Sequence, residues 1–182
     1  MNCVSAPRAE TRRTAMPTRR GSILALAAAC LLLGSWPSLA HADSVAAARS
    51  AYALGDFVRA VRVLTPLALR GDPRAQAMLG FMYENGFGTP QAYVVASDLY
   101  CQAAAAGNPF GQAMLGLMYD KGHGVPQDVV LAYKWLNLAA ANTGHAQRSY
   151  YLRLRNAVAS KMSASQIAQG QALALAWIPG QL

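Results

Sequence analysis

The chain has 182 residues, of which 54% are hydrophobic and 8% aromatic. This length is enough for one domain and a leader that is removed. Its formal charge of +8 includes five arginines and one glutamate within residues 1–42. The other 140 residues carry 11 basic and 7 acidic side chains, a net charge of +4 (11 − 7). These charges are scattered, which disfavours nucleic-acid binding. The alanine-rich composition favours packed helices.

Residues 1–42 predict a secretory signal peptide. A basic segment ends at Arg19 and Arg20, an apolar run covers residues 23–33, and Ala40-His41-Ala42 forms a small-x-small cleavage site. The apolar run is too short to span a bilayer, which needs about 20 such residues. We therefore expect Sec-type export, cleavage after Ala42, and a periplasmic or secreted protein without a stable membrane anchor.

Two other export signals fit less well. A twin-arginine signal is disfavoured because Ser22 stands where that motif has a large apolar residue. A lipoprotein signal is disfavoured because Ala27 replaces the usual leucine and the apolar run continues past Cys30. Whether translation starts at Met1 or Met16 is left open.

Cys101 is the only cysteine of the predicted mature chain, since Cys3 and Cys30 lie in the leader. We therefore expect no intramolecular disulfide. A small buried residue on a helix is favoured over a reactive thiol.

The first predicted helix pair covers residues 44–54 and 57–70, separated by a turn at Gly55 and Asp56. Pro66 falls inside the second of these helices and predicts a kink or an early end there. Residues 71–73 form the next turn.

An internal repeat follows. Residues 76–104 align with residues 112–140 at an offset of 36 without a gap, and 15 of the 29 positions are identical. A period of this size is typical of a solenoid of stacked helix pairs.

Each repeat predicts a first helix (74–85 and 109–121), a glycine-rich loop, and a second helix (about 93–106 and 128–141). Glycines in the loops are expected at positive φ. Gly80 and Gly116 lie inside the first helices, where glycine costs about 0.5–1 kcal/mol relative to alanine. We expect close approach of the second helix to offset this cost, through Ala96 and Ala103 in one repeat and Ala132 and Ala139 in the other.

The C-terminal part diverges from the repeat. Residues 146–161 predict a helix, and Ser163 with Gln166 predicts a capping box before a last helix that extends to Trp177. A divergent terminal pair suits the outer face of a solenoid.

These motifs resemble the Sel-one-like repeat family, which is related to the tetratricopeptide repeats. The first copy departs from the family pattern at Thr89, Ala92 and Leu99. The second copy matches it at Leu115, Gly116, Met118, Tyr119, Gly122, Gly124, Val125, Gln127, Asp128, Ala132, Trp135, Ala139 and Ala140.

The resemblance implies an all-α, right-handed solenoid of four antiparallel helix pairs, at residues 43–72, 73–108, 109–144 and 145–182. It also implies an adaptor or scaffold that holds a partner protein on its concave face. A module that binds cell-wall glycan or exopolysaccharide is the alternative. A β-lactam-binding or hydrolysing enzyme is a remote one, because the relatives with that activity are clamped by disulfides not expected here.

The residues predict no catalytic, cofactor or metal site. The paired G-x-G loops follow helices and lack the lysine of a phosphate-binding loop. His123 and His145 have no second ligand at metal spacing. The acidic residues stand singly, without a nucleophile or a second carboxylate. We expect a protein that is not an enzyme.

A helical wheel places Ala75, Leu79, Met82 and Tyr83 on one core-facing arc of the first helix. Further apolar residues flank this arc, so the apolar stripe is wider than a surface helix needs. Burial between neighbouring first helices and a partner-binding groove both explain this width, and the sequence leaves the choice open. The candidate partner-binding residues are Arg74, Met78, Phe81, Phe110, Met114 and Leu117.

Overall fold

A computed structural model describes residues 38–180, with side chains from Ser44 onward. Most of the predicted leader and the last two residues lie outside the described residues. Within this range all regular structure is α-helical, which confirms the predicted class. No helix in residues 38–180 has the length and apolar character to cross a membrane. The helices are α1 (Ser38–Ala53), α2 (Phe57–Leu69), α3 (Pro73–Asn85), α4 (Tyr93–Ala105), α5 (Pro109–Lys121), α6 (Val129–Ala141), α7 (His145–Ala159) and α8 (Ala164–Leu175).

The 36-residue period extends beyond the two similar repeats. The first helices α3, α5 and α7 begin at Pro73, Pro109 and His145, each 36 residues after the last. Asp72 and Asn108 cap α3 and α5, with side chains that accept hydrogen bonds from backbone N–H groups of the first turn. Gly144 stands at the same place before α7 and provides no such bond. The period therefore continues into α7, where sequence identity has faded.

The second helices follow the same spacing, since α2, α4 and α6 begin at Phe57, Tyr93 and Val129 and each has 13 residues. The expected early end at Pro66 is wrong, because α2 continues to Leu69. Leu67 and Ala68 are buried after the proline, so tertiary packing outweighs the lost backbone hydrogen bond.

The N-terminal helix departs from the predicted bounds. It begins at Ser38 rather than Ser44 and ends at Ala53. The loop to α2 contains only residues 54–56, whereas residues 86–92 connect α3 to α4. This four-residue difference (7 − 3) shifts α1 out of the 36-residue register.

Close approach at the two helix-internal glycines is confirmed in part. A Cβ atom on Gly80 would lie 3.0 Å from Cδ1 of Tyr100 and 3.3 Å from the Ala96 carbonyl oxygen. A Cβ atom on Gly116 would lie 2.9 Å from Cγ of Leu136 and 3.1 Å from the carbonyl oxygen of Ala132. These approaches involve the predicted Ala96 and Ala132.

The predicted role of Ala103 is different from the observed one. Its Cβ atom would lie 2.7 Å from a Cβ on Gly111, in the first helix of the next repeat. Ala103 therefore packs between repeats, because it lies one turn beyond the contact with Gly80.

The core residues form two clusters, one shared by α1, α2 and α3 and the other extending from α4 to α8. Of the predicted core stripe, Leu79, Met82, Leu115, Met118 and Tyr119 are buried and Tyr83 is half-buried.

The last two helices depart from the simple hairpin arrangement. Both α7 and α8 pack on α6. Gly170 allows this approach of α8, since a Cβ there would lie 2.8 Å from Cδ1 of Tyr133. The predicted capping box of Ser163 and Gln166 at the start of α8 is confirmed.

Cys101 is buried in α4, as expected of a small apolar residue. Cys101 is disulfide-bonded in the structure, and the expectation of no intramolecular disulfide, which concerns the mature chain, stays a prediction. Its bonded partner lies outside the described residues. The expectation assumed removal of Cys3 and Cys30 with the leader, whereas the structure contains the full sequence.

Candidate partner-binding groove

The contacts between helices place the first helices α3 and α5 on the inner face of the solenoid. The first helices α3 and α5 pack directly against each other, and the second helices α2 and α4 are farther apart. An array whose first helices are closer together than its second helices curves with the first helices on the concave side. The predicted partner-binding residues lie on these inner helices.

A cavity of about 380 Å³ opens on this inner face. Three consecutive first helices contribute to it, so it exists only when the helix pairs are stacked. Four of the six predicted residues line it: Arg74, Met78, Phe81 and Phe110. The remaining lining residues are Arg49, Tyr52, Ala77 and Asn108.

The other two predicted residues do not line the cavity. Met114 is half-buried and packs against the core cluster of α4 to α8. Leu117 is half-buried one turn farther along α5. Met78 also touches the core cluster of α1 to α3, so it combines core packing with exposure to the cavity. The predicted apolar flank therefore lines the cavity at Met78, Phe81 and Phe110, whereas Met114 packs against the core.

Arg49, Tyr52 and Asn108 line the cavity and were missed by sequence reasoning. The loop after α1 is shorter than the loop after α3, so Arg49 and Tyr52 do not align with α3 at the 36-residue offset. A deletion of four residues in the alignment would have matched Arg49 with Phe81, a predicted partner-binding residue. Asn108 carries a recognisable signal, since it precedes a proline at a helix start, as Asp72 does.

Aromatic rings form a continuous wall behind the cavity. The ring of Phe81 lies 6.1 Å from that of Tyr52, 6.2 Å from that of Phe110 and 5.9 Å from that of Phe87. Phe87 in turn stacks on Phe57 at 4.8 Å. Rings at these separations stabilise each other, and the wall joins the first three helix pairs into one surface.

Hydrogen-bond donors dominate the rim of the cavity. Oδ1 of Asn108 accepts from the backbone N–H of Gly111 at 2.8 Å, so the Nδ2 amide is the group it can offer a ligand. The guanidinium groups of Arg49 and Arg74 add donors and positive charge. The Arg74 guanidinium lies 3.8 Å from Asp72, whose side chain also accepts from two backbone N–H groups of α3. None of the residues that line the cavity is acidic.

Comparison with known proteins assigns the chain to a protein family. The Sel1 repeat pattern matches residues 73–108 and 109–143. The crystal structure of a Sel1 repeat protein from Oxalobacter formigenes is 36% identical, with a TM-score of 0.52, over 62% of this chain and 88% of that one. The chain belongs to the Sel1 repeat family.

A second solved structure supports the solenoid fold of this Sel1 repeat protein. It is a protective antigen present in uropathogenic Escherichia coli strains, and it displays an SLR fold. The identity is 26% and the TM-score 0.70, over 76% of this chain and 30% of that antigen. The chain thus spans about a third of the antigen's length. No curated protein sequence matches the chain.

The glycine loops of this Sel1 repeat protein serve packing between repeats. Gly86, Gly88, Gly122 and Gly124 all have positive φ, as predicted. A Cβ on Gly88 would lie 2.5 Å from the backbone carbon of Phe57, at the start of the preceding second helix. The chain's own backbone therefore occupies the space beside this loop that a phosphate would need.

The histidines belong to no metal cluster in the described part of the chain. No group of three or more His, Cys, Asp or Glu side chains within residues 44–180 could hold a metal ion. The ring of His123 lies 4.6 Å from that of Tyr93, and His145 is exposed at the start of α7. His123 is thus a packing residue of the loop between α5 and α6.

Proposed function

We propose that this Sel1 repeat protein is an exported adaptor that binds a segment of a partner protein in the cavity of its inner face. Sel1 repeat proteins are generally non-enzymatic scaffolds for protein interactions. One observation carries the proposal. Side chains from three consecutive first helices converge on a single apolar cavity with a polar rim, the usual form of a ligand-binding site.

The size of the cavity supports a short segment as its occupant. About 380 Å³ accommodates one or two large side chains of a bound segment. Met78 is suited to such a site, because its flexible thioether adapts to different apolar side chains.

Selection of short random peptides on the immobilised protein tests binding. We expect peptides to bind wild type and to be lost in Met78→Asp, because a carboxylate would then stand on the apolar floor. Val94→Asp is the matched control, since Val94 is 55% exposed on the second helix α4 and does not line the cavity. Thermal unfolding of each variant separates lost binding from lost folding.

The competing functions give different results. Retention on peptidoglycan or exopolysaccharide in the absence of peptide binding would replace the adaptor function with glycan binding. Hydrolysis of a chromogenic β-lactam would instead assign an enzyme. Equal peptide binding by wild type and a folded Met78→Asp variant would show that peptides do not bind in the cavity.

Export is supported by the basic segment, the apolar run and Ala40-His41-Ala42. The buried residues Val45, Ala48 and Ala51 of α1 follow the predicted cleavage site, so cleavage after Ala42 keeps these core side chains. Mass spectrometry of the protein from the extracytoplasmic fraction should find Asp43 at the N-terminus. An intact leader would contradict cleavage at this site.

A further inference from the structure

By the 36-residue register, each first helix carries a basic residue at or beside a position of the inner face. The cavity-lining positions of α3 recur at intervals of 36, so Arg74 corresponds to Phe110 in α5, and Phe81 to Leu117 and to Arg153 in α7. Lys121 extends the same stripe of α5, eleven residues after Phe110. Arg49 of α1 and Arg74 of α3 line the cavity, and the register places Lys121 and Arg153 on the corresponding stripe of α5 and α7. All four side chains are exposed.

The acidic residues on α3 and α5 are engaged elsewhere. Glu84 accepts a hydrogen bond from the hydroxyl of Tyr100 on α4 at 2.8 Å. Asp120 accepts from Nζ of Lys161 at 3.0 Å. Both carboxylates thus turn toward the neighbouring elements and do not neutralise the cations of the inner stripe. Arg74 lies 3.8 Å from Asp72, whose side chain also caps α3, so that charge is partly compensated.

An aromatic residue also recurs beyond the cavity. Tyr150 of α7 is 47% exposed, and the Arg153 guanidinium carbon lies 5.8 Å from the centre of its ring. Tyr150 corresponds to Met78 and Met114 by the 36-residue spacing. The stripe therefore alternates large apolar or aromatic side chains with cations from the cavity to the C-terminal helices.

We infer that the partner segment is acidic, with Asp or Glu side chains interleaved with aromatic or large aliphatic residues; this rests on the proposed adaptor function. Carboxylates of the segment accept hydrogen bonds from the guanidinium groups of Arg49 and Arg74 and from Nδ2 of Asn108. A neighbouring apolar side chain enters the cavity between Met78 and Phe81.

Nucleic acid and anionic membrane also carry negative charge. Both fit this face poorly, because a duplex or a bilayer presents a broad surface that cannot follow a concave groove with an apolar floor. A peptide chain is narrow enough to enter the groove and can bring apolar side chains to it.

Peptide selection with a change of charge tests the inference. We expect peptides that bind wild type to be enriched in Asp and Glu next to aromatic residues. The double variant Arg49→Gln/Arg74→Gln should bind these peptides about fivefold to tenfold more weakly, as expected for two solvent-accessible ion pairs. Binding to wild type should also weaken as salt rises.

Arg59→Gln/Arg62→Gln is the matched control. It removes the same charge from the exposed surface of α2, away from the cavity, and should leave affinity within about twofold of wild type. If the two double variants lose affinity equally, net charge rather than the groove attracts the peptides, and the inference is overturned.

The outcomes distinguish this inference from the proposed function. Failure to select any peptide contradicts the adaptor function itself. Selection of peptides without acidic enrichment leaves the adaptor function in place and overturns only the inference. Tighter binding to single-stranded oligonucleotides or to phosphatidylglycerol vesicles than to any selected peptide also overturns it.

Discussion

The side-chain amide of Gln112 in α5 donates a hydrogen bond to the carbonyl oxygen of Ala104 in α4, at 3.3 Å. The same bond joins Gln76 to Ala68 at 3.2 Å, and Nε of Arg148 to Ala140 at 3.0 Å. Donors and acceptors are each spaced by 36 residues. Each acceptor lies in the last turn of a second helix, where carbonyl groups lack partners within the helix. A periodic polar bond therefore joins each second helix to the next first helix.

Gln112→Ala should lower the free energy of unfolding by about 1–3 kcal/mol, because Gln112 is fully buried and its loss removes two bonds, one donated to Ala104 and one accepted from Asn142. Arg148→Ala should cost about 0.5–1 kcal/mol, since Arg148 is exposed and water can replace its bond. Urea unfolding of both variants measures the difference. Equal costs would show that burial does not determine the strength of this bond.

The starts of α4 and α6 provide a paired test of capping. Asp128 accepts from the backbone N–H groups of Val130 and Leu131, whereas Ala92 has the same extended conformation and no side-chain bond. Ala92→Asp should raise the free energy of unfolding by about 0.5–2 kcal/mol, and Asp128→Ala should lower it by a similar amount. Thermal and urea unfolding measure both. Ala92→Asn, an uncharged cap, should give most of the gain, and an unchanged midpoint in all three variants would contradict the assigned helix starts.

Alanine at the helix-internal glycines should destabilise the protein despite its better helix propensity. Gly116→Ala would place Cβ 2.9 Å from Leu136 and 3.1 Å from a backbone oxygen, so we expect a net loss of about 1–3 kcal/mol. Gly80→Ala should cost less, because both of its close contacts are longer. The new Cβ would lie 3.0 Å from the Tyr100 ring and 3.3 Å from the Ala96 carbonyl oxygen.

Gly144→Ala is the control for these two substitutions, since no atom lies within 4 Å of a Cβ there. It should cost at most about 0.5 kcal/mol, the loss of a glycine at a helix N-cap. A stabilising Gly116→Ala would mean that the two helices can move apart without loss.

Stability should fall in strongly alkaline solution. Burial, followed by the charge of Glu84, raises the pKa of Tyr100 above its ordinary value of 10.0. Burial also raises the pKa of Tyr119 and of Tyr151. The unfolded chain loses these protons above its tyrosine pKa while the folded protein keeps them, so this contribution is constant below about pH 10 and declines above it. Tyr100→Phe should show a shallower decline in urea unfolding between neutral and alkaline pH, and an unchanged slope would exclude Tyr100 as a contributor.

The sequence alone determined the helical class, the 36-residue period and most helix boundaries, because these depend on local signals that recur at fixed positions. Pro109 begins a helix, Gly122 ends one in a left-handed conformation, and Asp128 caps the next. The sequence also identified four of the eight residues that line the cavity, since Arg74, Met78, Phe81 and Phe110 lie inside or beside the unmistakable repeats.

Only the tertiary structure decided how the outer helices complete the molecule. A loop shortened by four residues removes α1 from the register, so only packing shows that Arg49 and Tyr52 reach the cavity. The contact of Gly170 with Tyr133 places α8 on α6, and no local pattern encodes a contact between such distant residues. The similar apolar stripes of α3 and α5 serve different surroundings, because α1 leaves a cavity beside Met78 while the core from α4 to α8 packs against Met114. Burial depends on what each neighbouring helix presents, and that is a property of the assembled solenoid.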